Sequence, residues 1–196
     1  MAGLDRLIDE DSPAPDEPLT LAQAKSHLRV DFVDDDDLIE AEIAAARQQI
    51  EGFLKQSLIL QTWRYRIDFC WPREIRLPVG PLRTTTGLSI QYVDADGATQ
   101  TLATTEYQVS LGQTGIIRPA WSKSWPTLRP VMDAVTVEFK AGETRIEYIK
   151  PVFLAALKLQ LGDLYANRES VVIGGTVGEI TSLSARNLLT PFVRHD

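Results

Sequence analysis

The side chains that most often carry covalent or metal chemistry are sparse in this chain: one cysteine, Cys70, and two histidines, His27 and His195. A lone cysteine closes no internal disulfide and builds no cysteine-based zinc site, and the histidines are too far apart in sequence to form a local ligand pair. As a nucleophile Cys70 requires a histidine to take its proton. His27 falls in a short helical stretch and His195 is next to the last residue, so no local dyad signature is present. Asp and Glu are abundant, but their scatter singles out no acid–base pair.

Three short motifs invite a cation or phosphate reading. "DDDD", residues 34–37, offers oxygens to a hard cation, but consecutive residues entering a helix point in different directions, and the spacing and sixth-position glycine of a calcium loop are missing. Helix capping at the positive end of the macrodipole, together with a solvated acidic surface, accounts for it better. "DADG", residues 94–97, lacks the rest of an EF-hand loop, whereas Asp96-Gly97 suits a tight hairpin turn. "GGTVG", residues 174–178, lacks the lysine and hydroxyl residue of a phosphate-binding loop and reads as a hinge supplied by Gly174, Gly175 and Gly178. No metal or cofactor is expected.

Two clusters remain. Arg64, Arg66, Arg73, Arg76 and Arg83 lie in a stretch whose only acids are Asp68 and Glu74. Such a stretch attracts phosphates or the acidic end of another copy, or it keeps strand faces soluble. Trp121 and Trp125 in "WSKSWP" offer stacking platforms for bases or sugars, or they close the end of a β core. Together these residues define the alternative of a carbohydrate- or nucleic-acid-binding module.

The elements that must position these groups follow from pattern. With 44% apolar and 24% charged residues the 196-residue chain has globular composition. No apolar run is long enough to span a membrane, and the acidic N-terminus lacks the regions of a signal peptide, so the chain is expected to be soluble and cytosolic. Residues 1–37 carry eleven acids against three bases, which concentrates the net charge of −7 at one end. Residues 1–18, with three prolines among Asp and Glu, read as a flexible acidic arm that orders on a partner.

Thr20 and Gln23 have the spacing of a capping box, and Ile39, Ile43, Ala46, Ile50, Phe53 and Leu54 give a long helix over about residues 35–56. From Leu58 the period changes to two, with Trp63, Tyr65 and Ile67 alternating against Thr62, Arg64 and Arg66, and about six strands follow. Helical pattern resumes at Pro151. The fold class is therefore α+β: a bundle of N- and C-terminal helices (19–57 and 146–170) with an inserted, mainly antiparallel β lobe (58–145) and a tail over 171–196. Val152 to Leu157 are consecutive apolar residues and cover the whole circumference of their helix, so either its own subunit encloses it or a sister copy covers part of it.

The ordered series "LTLAQAKSHLRV", "LIEAEIAAARQQIEGFLKQSLILQTW", "IRLPVGPLRTTTGLSIQYVDADGATQTL", "YQV", "VTVEFKAG", "PVFLAALKLQLGDLYANRES" and "LLTPFV" resembles the head-tail connector, or adaptor, proteins of long-tailed bacteriophages and phage-like gene transfer agents, over about residues 19–193. The resemblance implies a non-enzymatic ring, commonly of twelve copies, beneath the portal protein of a DNA-filled head. It would offer a platform to a tail-side stopper or head-completion protein and pass DNA without sequence-specific binding. Assembly would begin in the bacterial cytoplasm and end in the neck of the particle. Leu188, Leu189, Phe192 and Arg194 would be the portal-docking residues of a glycine-hinged tail; the alternative is that "LLTPFV" folds back onto its own core. Helix-to-helix packing between neighbours would place Phe153, Leu154, Leu157, Leu161, Ile43 and Ile50 at the subunit interface.

Overall fold

Thr20 opens α1 (Leu21–Leu28) with the reciprocal bonds its spacing predicts. Its Oγ1 accepts from the Gln23 backbone N–H at 3.2 Å, and Gln23 Oε1 accepts from the Thr20 N–H at 3.1 Å. The helix ends where Arg29 turns left-handed at φ 58°, and α2 (Asp36–Leu54) ends in the same way at Lys55, φ 53°. In both, the cap N–H reaches back to a last-turn carbonyl, Lys25 or Glu51, and the next residue's N–H, Val30 or Gln56, donates to the same oxygen.

The structure, a computed structural model, describes residues 2–7, 16–167 and 183–194. They fall into two units, a helical one from Asp16–Ile59 and Arg145–Asp196, and a β one from Met1–Pro15 and Leu60–Thr144.

In the helical unit, Ile39, Ile43, Ala46, Ile50 and Leu54 recur along one face of α2 and are all buried. They share a core with Phe153, Ala156, Leu157 and Leu161 of α3 (Pro151–Ala166) and with Ala185 and Leu189 of α4 (Leu183–Leu189). The α1, α2 and α4 helices all pack on α3. Full burial of each leucine or isoleucine in this core contributes ~1.5–3 kcal/mol before entropy is counted. A helix that is apolar nearly all round is thus surrounded largely by helices of its own subunit.

The β unit holds two antiparallel sheets. The larger runs β1 (Ala2–Leu7), β2 (Gln61–Ile67), β8 (Val135–Ala141), β4 (Ser89–Val93) and β5 (Thr99–Thr101) across its width. The smaller runs β3 (Ile75–Arg76), β7 (Ile116–Pro119) and β6 (Tyr107–Ser110). The period of two is plainest in β8, where Val135, Val137, Phe139 and Ala141 point inward and are fully buried. With Ile90, Ile75, Leu77, Leu82 and Ile117 they form the second core. Gly115 is required by that packing, since a Cβ there would lie 2.7 Å from methyl groups of both Leu77 and Leu82.

One expectation is corrected at the N-terminus. Residues 2–7 are not part of a loose arm but form β1, paired antiparallel with β2 from Ala2↔Ile67 to Leu7↔Thr62. The sheet edge supplies backbone hydrogen bonds, and these need none of the apolar content whose lack argued for disorder. Glu17 is likewise fixed, on Arg47. The hinge glycines Gly174, Gly175 and Gly178, together with His195, lie outside the described residues.

Candidate assembly surface

Arg47 is the most deeply buried cation among the described residues of the helical unit, 2% exposed. Its Nε and Nη2 donate to the two carboxylate oxygens of Glu17 at 2.7 and 2.9 Å, and Nη1 donates to Glu51 Oε2 at 2.8 Å. Glu51 Oε1 in turn accepts the Leu58 N–H at 2.8 Å. Burial works to lower the Arg47 pKa, but the bonds and charges of Glu17 and Glu51 outweigh it and hold the guanidinium above its ordinary value. The network ties the segment before α1 and the segment after α2 to one helix. Beside it opens a cleft of about 390 Å³ whose lining includes Asp16, Glu17, Leu19, Leu21, Glu40 and Ile146.

The C-terminal segment closes onto the same unit. Leu189 is fully buried, the Phe192 ring meets Phe153 edge-on, and Lys150 Nζ sits 4.6 Å from the Phe192 ring centroid. Gln56 Nε2 donates to the Phe192 carbonyl at 2.8 Å, and the Arg194 N–H donates to the Leu54 carbonyl at 3.3 Å. Of the two arrangements open to "LLTPFV", this structure holds the folded-back one: Leu189, Phe192 and Arg194 rest on their own core, while Leu188 is 38% exposed.

The residues expected at a subunit interface need correction for the same reason. Ile43, Ile50, Phe153, Leu157 and Leu161 are buried within the subunit, so they have almost no surface left for a neighbour. Leu154 alone of the six is partly exposed. Exposed apolar side chains of the helical unit lie elsewhere, among them Phe32, Val33 and Leu38 where α1 passes into α2, Ile146 and Tyr148 before α3, and Leu183 and Leu188 on α4. Phe32 and Val33 stand in the break "RVDFV", where no helical period places them on an inner face; that was the available signal.

The four aspartates do not converge. Asp36 accepts from Lys25 Nζ at 2.5 Å, and Asp35 Oδ2 accepts from the Tyr165 hydroxyl at 2.6 Å, while Asp34 and Asp37 are exposed. Asp35 is the N-cap residue of α2 but makes no side-chain cap bond, so the capping expected of this run is not made. Among the described residues no group of His, Cys, Asp and Glu could hold a metal ion.

In the β unit the arginines are largely committed to carboxylates. Arg64 pairs with Glu138 at 2.7 Å, Arg66 with Asp5, Arg76 with Glu74 at 2.5 Å and Arg83 with Glu143 at 2.6 Å; Arg73 is exposed. The tryptophans divide. Trp125 stacks on Trp71 with centroids 4.7 Å apart, and each indole N–H donates at 2.8 Å to a carbonyl beside the other, Trp125 to Pro72 and Trp71 to Pro126. Trp121 is 93% exposed. Cys70 is exposed and free, and the DADG segment is a turn: the Asp94 carboxylate accepts from the N–H groups of Asp96 and Ala98, while Gly97 takes φ +91°. A binding module built on these arginines and both tryptophans loses most of its free groups.

The described residues therefore form two well-packed units, each with apolar and charged side chains at its surface. The fold is that of chains from phage-like particles. One, from the "Neck of empty GTA particle computed with C6 symmetry", is 19% identical with TM-score 0.75 over 99% of this chain and 96% of that one. A second, from the "Virion of native gene transfer agent (GTA) particle", is 20% identical with TM-score 0.73 over 98% and 96%. A third, from the "Neck of native GTA particle computed with C12 symmetry", is 21% identical with TM-score 0.72 over 99% and 96%. No curated protein sequence matches the chain. Residues 18–118 match the family described as phage gp6-like head-tail connector protein, and the chain belongs to that family.

Proposed function

We propose that this chain is a structural, non-enzymatic subunit of a ring in the neck of a phage-like particle, joining a DNA-filled head to its tail side. The observation that carries the reading is likeness over nearly the whole chain to chains of gene transfer agent particles, two of them from necks, alongside membership of the connector family. Twelve copies suit the symmetry with which one of those necks was computed. The portal protein lies on the head side, a stopper or head-completion protein on the tail side, and DNA passes through the lumen without sequence-specific binding.

The surface supports assembly in two ways. Phe32, Val33, Leu38, Leu183 and Leu188 offer apolar area to neighbours, and many symmetric copies convert modest contacts into firm attachment. The folded-back C-terminal segment is the portal-docking element. It has to leave Phe153 and Leu54 for Leu189, Phe192 and Arg194 to reach the portal, whereas exposed Leu188 can touch it first. Exposed Asp34 and Asp37, if lumen-facing, repel the DNA backbone.

Deleting the gene from a producing cell tests the reading. DNA-filled heads without tails, restored by the wild-type gene, are expected; intact tailed particles would contradict it. No helix of the described residues is long and apolar enough to cross a membrane.

A further inference from the structure

We propose that β1 is exchanged between neighbouring copies in the assembled ring, residues 2–7 of one subunit completing the sheet of the next on the edge of β2. The inference rests on the ring reading above and adds to it a specific interface.

Three observations carry it. First, β1 is not the hairpin partner of β2: α1 and α2 intervene in the chain, and β1 joins the large sheet only at its outermost position. Second, what holds β1 among the described groups is the backbone ladder, together with the side-chain tie between Asp5 and Arg66. Of its described side chains, Gly3, Leu4 and Asp5, none belongs to the buried core, and Leu4 is 39% exposed. Third, if β1 leaves, β2 becomes a sheet edge with a row of unpaired N–H and C=O groups, which is a template for a strand from another chain.

Identity of sequence makes the exchange nearly neutral in contacts. A second copy's residues 2–7 present the same ladder and the same Asp5 to Arg66, so cis and trans pairing differ only in connection and local concentration. Residues 8–15 carry Asp9, Glu10, Asp11, Pro13 and Pro15 and no glycine. Eight residues span at most ~28 Å, which sets the largest separation between copies that the exchange can bridge.

The test uses opposed positions. Asp5 faces Arg64 across the pair and Gly3 faces Arg66. In a Cys70→Ser background, D5C with R64C in the same chain is built into particles, and neck rings are purified, oxidised and run on a denaturing gel without reductant. Exchange predicts a ladder of covalent multimers up to the ring size. Rings that are intact by electron microscopy but yield only single chains with an internal disulfide overturn the exchange and leave the ring standing. Absence of rings from particles overturns the ring reading and the exchange with it. The G3C and R66C pair is the second reporter, and no cross-link from either pair also overturns the exchange.

Discussion

The rings of Phe192 and Phe153 meet nearly at right angles, 87° between planes and 5.3 Å between centroids, and this contact fastens the C-terminal segment to α3. Beyond area burial such a pair contributes ~0.5–1.5 kcal/mol, and Lys150 lies over the same ring. Phe192→Ala should lower stability by ~2 kcal/mol, because the ring is partly buried. Leu189→Ala, at a fully buried site, should cost ~2–5 kcal/mol. Leu188→Ala should stay within ~0.5 kcal/mol. Urea midpoints of the three variants measure the order, and a large loss at Leu188 would contradict the folded-back geometry.

Arg47 is the charge on which two acidic residues depend. Arg47→Met should destabilise by ~3–5 kcal/mol, since Glu51 is then buried without its cation. Adding Glu51→Gln should recover part of the loss, because the leftover charge is removed while the bond from the Leu58 N–H can persist. Denaturant unfolding of both variants checks this. Equal stability of Arg47→Met and the parent would show that the network contributes nothing.

The tryptophans give a spectroscopic prediction. Trp125→Ala breaks the stack on Trp71 and its bond to Pro72, so it should lower stability by ~3 kcal/mol and flatten the near-ultraviolet dichroism. Trp121→Ala should change stability by less than ~0.5 kcal/mol. If Trp121→Ala were the destabilising change, the loop would be packed differently.

Asp94 predicts a pH dependence. Its carboxyl is held below the ordinary aspartate value of 3.8, first by the Gln100 side chain and then by the Ala98 N–H. A depressed folded pKa adds stability that is present above the unfolded value and is lost as pH falls through the folded one. Asp94→Asn should therefore be less stable than the parent at pH 7, with the gap closing below about pH 3.8. Thermal midpoints over a pH series measure it; a gap that widens in acid would contradict the turn geometry.

Much of the scaffold was legible in the residues, because helices and hairpins are written locally. The capping box at Thr20, the inner face of α2 and the Asp96-Gly97 turn each depend on neighbours within a few positions. What escaped depends on distant partners. "AGLDRL" shows no apolar alternation, since β1 is held by the backbone of β2. The arginines looked like a basic patch because their acids, Glu138 for Arg64 and Glu143 for Arg83, lie 74 and 60 residues away. Apolar periodicity at Ile43, Ile50 and Leu157 reports burial, and it does not say whether the covering surface belongs to the same subunit or another.

The central claim, that copies of this chain close into a ring at the neck, is tested most directly by electron cryomicroscopy of the whole particle with this chain traced in the density. The account predicts symmetric copies around the DNA channel between head and tail, with the apolar surface at Phe32, Val33 and Leu183 covered by neighbouring molecules. A neck in which the chain is missing, or stands as an isolated copy without symmetric contacts, would contradict it.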